Sequence, residues 1–90
     1  MYLKDIDDNK YTSVIEINDI GVVTSAVVSG FNIVSINRDP KHAPRVSFLF
    51  HKTKEIEELV EKYFKGELLI DAKTFLTTLR SVKSQTKINY

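Results

Sequence analysis

Cysteine is absent from this 90-residue chain, and histidine, proline and glycine are scarce, with two, two and three residues respectively. Without cysteine the chain can form no disulfide, offer no thiolate nucleophile and hold no cysteine-ligated zinc. Small extracellular domains commonly depend on disulfides for their stability. We therefore expect a domain that folds in a reducing, cytoplasmic compartment.

Long apolar runs are also absent. The most apolar stretch, residues 20–31, is shorter than the roughly 20 residues that cross a bilayer, and it contains glycine, serine and threonine. The chain begins with Met-Tyr-Leu-Lys-Asp, which lacks the apolar core of a secretory signal peptide. These features predict neither membrane insertion nor export.

Residues that could carry catalysis are few and scattered. General acid–base chemistry requires histidines or carboxylates that converge in a pocket, but His42 falls in a predicted loop and His51 ends a predicted strand. The acidic residues at 5–8 lack the glycine and distal glutamate of a calcium loop. The three glycines are too widely spaced for a phosphate-binding loop. We predict that the protein is not an enzyme and holds no metal and no cofactor.

The composition is that of a globular protein, with 42% hydrophobic and 28% charged residues. The net charge is only +1, yet the charges are unevenly distributed. Residues 31–52 and residues 71–90 each contain four bases and one acid, whereas residues 53–70 contain five glutamates and three lysines. This alternation predicts separate basic and acidic surfaces on the folded domain.

The first third of the chain predicts a short strand at Val14–Ile17, followed by a helix. Residues 20–29 are rich in valine, which favours a strand. However, their apolar residues fall on one helical face, Asn18 is suited to cap a helix, and Gly30 follows where a helix-ending glycine is expected. We predict a helix there, and Gly21 within it indicates a close contact with a neighbouring element.

The middle of the chain predicts two strands, Phe31–Asn37 and Arg45–His51. In the second strand, apolar side chains at alternate positions would lie on one face of a sheet. Residues 38–44 contain both prolines and predict a long hairpin loop between the strands.

The last third predicts two amphipathic helices, residues 54–65 and 72–84, joined by an extended link. Thr53 and Asp71 are suited to cap them, and Gly66 to end the first. The apolar stripes predicted to be buried are Ile56, Leu59, Val60, Tyr63 and Phe64 on the first helix and Ala72, Phe75, Leu76, Leu79 and Val82 on the second.

The element order β-α-β-β-α-α predicts an α+β fold, in which three helices cover one face of a small two- to three-stranded antiparallel sheet. A chain of 90 residues suffices for one core. We expect a lead-in over residues 1–10, a single domain over residues 11–85 and a tail over residues 86–90.

Most of the chain, residues 18–83, resembles a small uncharacterised domain family of bacterial, plasmid and phage proteins. The residues that carry the resemblance are Asp19-Ile20, Gly30-Phe31, Arg45–Phe50, Gly66-Glu67, Ile70–Ala72, Phe75, Leu79-Arg80 and Lys83. The resemblance implies the element order given above and an accessory role in the cytoplasm of a prokaryotic cell or of a virus-infected host. It implies no particular activity, because the family has none assigned.

Basic residues gather in two segments, the hairpin loop and the last helix. On that helix, Lys73, Thr77, Arg80 and Ser84 fall within about 40° of one line at roughly 100° per residue. Lysine, arginine and hydroxyl groups are the side chains that contact nucleic-acid phosphates. The predicted nucleic-acid-binding residues are Arg38, Lys41, Arg45, Lys73, Arg80, Lys83 and Lys87.

The sequence thus predicts a non-enzymatic binding protein that contacts a nucleic-acid backbone. The alternative is a protein–protein adaptor or inhibitor, as a monomer or as a homodimer. Two copies could join through a strand edge at Val14–Ile17 or Arg45–His51, or through close packing of the valine-rich helix. Basic residues near a helix end also occur on ordinary solubilising surfaces, so the salt dependence of binding is needed to separate these alternatives.

Overall fold

The computed structural model describes residues 13–38 and 46–86. The elements are β1 (Val14–Ile17), α1 (Ile20–Val28), β2 (Ser35–Arg38), β3 (Val46–His51), α2 (Lys54–Lys65) and α3 (Ala72–Thr86). The predicted α+β class, the order β-α-β-β-α-α and the antiparallel sheet are confirmed, and the sheet has three strands. Residues 39–45, which include most of the predicted hairpin loop, lie outside the described residues.

The sheet has the order β1-β3-β2, so the strand that comes last in sequence lies in the centre. Phe48 pairs with Ile17 on one side and with Ile36 on the other. Phe48 and Phe50 are buried, because alternate residues of β3 face the helices. The suggestion that the strand at residues 45–51 offers a free edge to a second copy is wrong, since β3 is paired along both sides.

The valine-rich segment forms a helix, as predicted, and this helix is the most buried element. Val22, Val23 and Ala26 are fully buried in the core, together with Val82 of α3. Burial on several sides explains why a helix forms despite the strand propensity of valine, because packing overrides the intrinsic preference. The same burial means that Val22, Val23 and Ala26 pack within the chain.

The strand predicted at Phe31–Asn37 is shorter in the structure and begins only at Ser35. The preceding residues end α1 instead: Gly30 has a φ of 102°, and Phe31 N–H donates to the carbonyl of Ala26 at 3.0 Å. Backbone groups that close a helix are not available to a strand ladder, and this keeps Phe31 out of β2, whereas Val34 N–H already donates to the carbonyl of Leu49 at 2.7 Å.

The bounds of α2 are those predicted from its capping residues. Thr53 Oγ1 accepts a hydrogen bond from the backbone N–H of Ile56 at 3.1 Å, and Gly66 adopts a left-handed conformation with a φ of 74°. Within the described residues, none of the helices is long and apolar enough to span a membrane.

Two exposed carboxylates hold structural hydrogen bonds. Asp71, at the start of α3, accepts from the backbone N–H and the hydroxyl of Thr74 at 2.9 and 2.8 Å, and these bonds lower the pKa of Asp71 below its ordinary value of 3.8. On the outer face of the sheet, Glu16 accepts from the Ser47 hydroxyl and from Asn37 Nδ2, and these bonds lower the pKa of Glu16 below 4.5. The Glu16 cluster joins all three strands.

We expect the urea midpoint of unfolding to fall as the pH is lowered from about 5 to 3. A folded-state pKa below the unfolded-state value means that the carboxylate stabilises the fold above the unfolded-state pKa, and that this stability is lost as the pH falls through the folded-state pKa. The Asp71→Asn and Glu16→Gln double variant should show a shallower acid dependence than wild type. An unchanged acid dependence in the double variant would contradict the assignment.

Candidate interaction surface at the junction of the last two helices

The basic face predicted for the last helix is exposed. Lys73, Arg80 and Lys83 are all solvent-exposed, and at 100° per residue they lie on the side of α3 away from the buried Val82. Residues 72–86 contain no acid. The structure therefore supplies a positively charged helix surface.

Arg38, from the other predicted basic segment, lies against the end of this helix. Its Nη2 donates to the backbone carbonyl of Gln85, and its half-buried side chain carries an Nε that is buried without a hydrogen-bond partner among the described residues. Arg38 thus provides a hydrogen-bond donor to a carbonyl at the C-terminal end of α3. This helix ends at Thr86, two residues past the predicted end at Ser84. Its guanidinium is partly engaged within the fold.

The remaining predicted nucleic-acid-binding residues are not part of what the structure describes. Lys41 and Arg45 belong to residues 39–45 and Lys87 to residues 87–90, all outside the described ranges. The same holds for His42, whereas His51 is exposed at the end of β3. Among the described residues, no group of three metal-ligating side chains lies close enough to hold an ion.

Both apolar stripes of the last two helices were predicted to be buried, and for part of each stripe this is wrong. Phe64 is 66% exposed and Leu76 is 53% exposed, and Ala72 is also exposed. Leu69, in the link between the helices, is 93% exposed. The helices α2 and α3 make few contacts with each other, so neither helix covers the other at this point.

A groove lies at this junction, and its volume is about 460 Å³. Its apolar lining comes from the end of α2, the link and the start of α3, with one residue of α1. The side chains that line it include those of Ser25, Tyr63, Leu68, Ile70, Phe75 and Leu76. Tyr63 is the one ionisable residue among the described residues that line it. A lining of this kind suits apolar side chains better than acid–base chemistry.

On α3, the exposed Leu76 lies among basic side chains. Lys73 precedes it by three residues, Arg80 follows by four and Lys83 by seven, so all four side chains share one side of the helix. We call these four residues the basic surface of α3. Sequence reasoning found its cations but placed Leu76 in the core, because the helical period alone does not show whether a neighbouring helix covers a position.

Taken together, the fold and this junction define a small α+β domain with a mixed apolar and basic surface next to a groove. The chain belongs to the family described as a domain of unknown function, DUF5659, whose family model matches residues 12–88. The resemblance to a small uncharacterised domain family is thereby confirmed. No curated protein and no solved structure matches the chain.

Proposed function

We propose that this domain is a protein-binding module, without enzymatic activity, that contacts its partner through the junction of α2 and α3. The observation that carries the proposal is the exposure of Phe64, Leu69 and Leu76 at this junction, together with an apolar groove that Leu76 and the chain neighbours of Phe64 and Leu69 line. Single exposed apolar residues are ordinary on protein surfaces, whereas a group of large ones is typical of an interaction site. An adaptor or inhibitor role in a bacterial or phage setting agrees with such a surface.

The charges at the junction favour a partner of opposite charge. Because Leu76 lies among Lys73, Arg80 and Lys83, the matching protein segment has an apolar side chain flanked by carboxylates. Opposite charges around an apolar contact fix its orientation and raise its association rate. An acidic amphipathic helix has this arrangement.

Nucleic-acid binding is the second candidate function. It is favoured by the acid-free exposed face of α3, where Lys73, Thr77, Arg80 and Ser84 supply cations and hydroxyl groups suited to phosphates. Contacts to phosphates would leave the exposed leucines and Phe64 unexplained, which is why we rank protein binding first.

We expect a synthetic acidic amphipathic helix, with leucine and glutamate faces, to bind the domain more tightly than its counterpart with lysine in place of glutamate. Leu76→Ser should weaken this binding about tenfold or more, because an apolar anchor at an interface contributes over 1 kcal/mol. Val34→Ser is the matched control, since Val34 is 45% exposed and precedes β2 rather than lying at the junction. Equal binding of the two peptides would contradict the proposal.

Oligonucleotides at about 50 and 200 mM salt test the second candidate in the same titration. Phosphate contact predicts binding that weakens steeply with salt, because counterions are released on association. It also predicts loss of binding in the Lys73→Glu and Arg80→Glu double variant, with little effect of Leu76→Ser. That pattern, without binding of the acidic peptide, would favour nucleic acid over protein.

A further inference from the structure

The exposed side of α2 carries an acidic surface with an aromatic residue at its end. Glu57, Glu61 and Phe64 occupy positions i, i+4 and i+7, which lie within about 60° of one another on a helix. All three side chains are exposed. We call these three residues the acidic surface of α2.

The acidic surface of α2 has the chemistry that the basic surface of α3 requires. The acidic surface of α2 combines carboxylates with an exposed phenylalanine, and the basic surface of α3 combines cations with an exposed leucine. Both adjoin the same link, residues 66–71. A single chain therefore carries two surfaces that are complementary in charge and that both expose an apolar anchor.

We propose that the partner bound at the junction is a second copy of this chain, with α2 of one copy packed antiparallel to α3 of the other. This inference rests on the proposed protein-binding function and names its partner. In a dimer with twofold symmetry this contact forms twice, because α2 of each copy packs against α3 of the other.

The spacing of the residues supports an antiparallel arrangement. We place Phe64 of one copy against Leu76 of the other. Glu61 lies three residues before Phe64, or about 4.5 Å along its helix axis, and Arg80 lies four residues after Leu76, or about 6 Å along its own. Glu57 and Lys83 are each seven residues from their apolar anchor, or about 10.5 Å. In antiparallel helices these positions face each other, so each acid meets a base.

The glutamates are available for such pairing. Glu61 contacts Lys65 at 3.1 Å and Glu57 contacts Lys52 at 3.6 Å, and all four side chains are about half exposed or more. Exposed ion pairs of this kind contribute little to stability, so a glutamate can exchange its partner at small expense in free energy. The alternative parallel arrangement would place Glu61 level with Lys73 but Glu57 before the start of α3, so only one of the two acids would meet a base.

Analytical ultracentrifugation over about 5 to 500 μM tests the inference on the full chain. We expect a concentration-dependent dimer whose dissociation constant rises about tenfold or more in Phe64→Ser and in Leu76→Ser. Val34→Ser should dimerise as wild type does. Because the three side chains are exposed, circular dichroism should show the same folded structure in all of these variants.

Exchanging the charges of Glu61 and Arg80 tests whether these two residues pair across the dimer. Arg80→Glu and Glu61→Arg should each weaken the dimer, whereas the combination of both in one chain should restore it, because each pair again joins opposite charges. Failure of the combined variant to recover would overturn the proposed register, and a dimer unaffected by Phe64→Ser and Leu76→Ser would overturn the surface.

A wild-type chain that stays monomeric over the whole concentration range would overturn the second copy as the partner. That result is distinguishable from failure of the proposed function, because the acidic peptide would still bind the monomer through Leu76. If neither the peptide nor a second copy binds, both the inference and the protein-binding function are wrong.

Discussion

Replacing Gly21 with alanine is expected to destabilise the domain by about 1–3 kcal/mol, even though alanine is the better helix former by about 1 kcal/mol. A Cβ atom at this position would lie 2.1 Å from the hydroxyl oxygen of Tyr63 and 3.0 Å from its Cζ. It would also lie 3.2 Å from Asp19 Oδ1. Asp19, and not the predicted Asn18, caps α1 by accepting from the backbone N–H groups of Gly21 and Val22. The ring of Tyr63 or the helix cap must therefore move.

Urea unfolding of a double-mutant cycle checks this prediction. Tyr63→Phe removes the hydroxyl that the new methyl group meets first, so Gly21→Ala should be less destabilising in that background, with a coupling of about 0.5 kcal/mol or more. Ser29→Ala, at an exposed position after α1, is the control and should have a small effect. If Gly21→Ala is as stable as wild type in both backgrounds, the close approach of α1 and Tyr63 is wrong.

The same contact connects the core to the junction. Tyr63 lines the groove and also lies against the start of α1, so a displaced ring would change the shape of the groove. Gly21→Ala should consequently weaken binding of the acidic peptide, whereas Ser29→Ala should not.

The second large effect is expected for Arg38→Met, which should destabilise the domain by about 1–3 kcal/mol. The substitution keeps much of the apolar stem but removes a charge-assisted hydrogen bond to the Gln85 carbonyl, and such bonds contribute about 1.5–3 kcal/mol. A cation near the C-terminus of a helix also interacts favourably with the helix dipole. We therefore expect the last turn of α3 to become less ordered.

Amide hydrogen exchange of residues 82–86, together with urea unfolding, measures both consequences. Arg80→Met is the matched control, because Arg80 is on the same helix but exposed, and it should change stability little. Arg38→Lys should fall between wild type and Arg38→Met, since lysine keeps the charge but not the guanidinium geometry. Equal effects of Arg38→Met and Arg80→Met would show that the contact with α3 contributes nothing.

Helix ends that are marked by capping residues were predictable from the sequence. The limits of α2 follow from Thr53 and Gly66, whose capping conformations depend on residues close in the chain. The end of α1 follows from Gly30 for the same reason. The start of β2 was not predictable in this way, because the helix-closing bond from Phe31 competes with the strand ladder and a strand pattern gives no sign of it.

The class of the fold, the order of its elements and the presence of a basic helix follow from the amino-acid sequence, because caps, periodicity and charge are properties of neighbouring residues. Which apolar residues remain exposed depends instead on how the helices pack. Phe64 and Leu76 follow the same helical period as buried residues, and the separation of α2 from α3 exposes them. The contact of Arg38 with Gln85 joins residues 47 positions apart, and no local pattern can specify a partner at that distance.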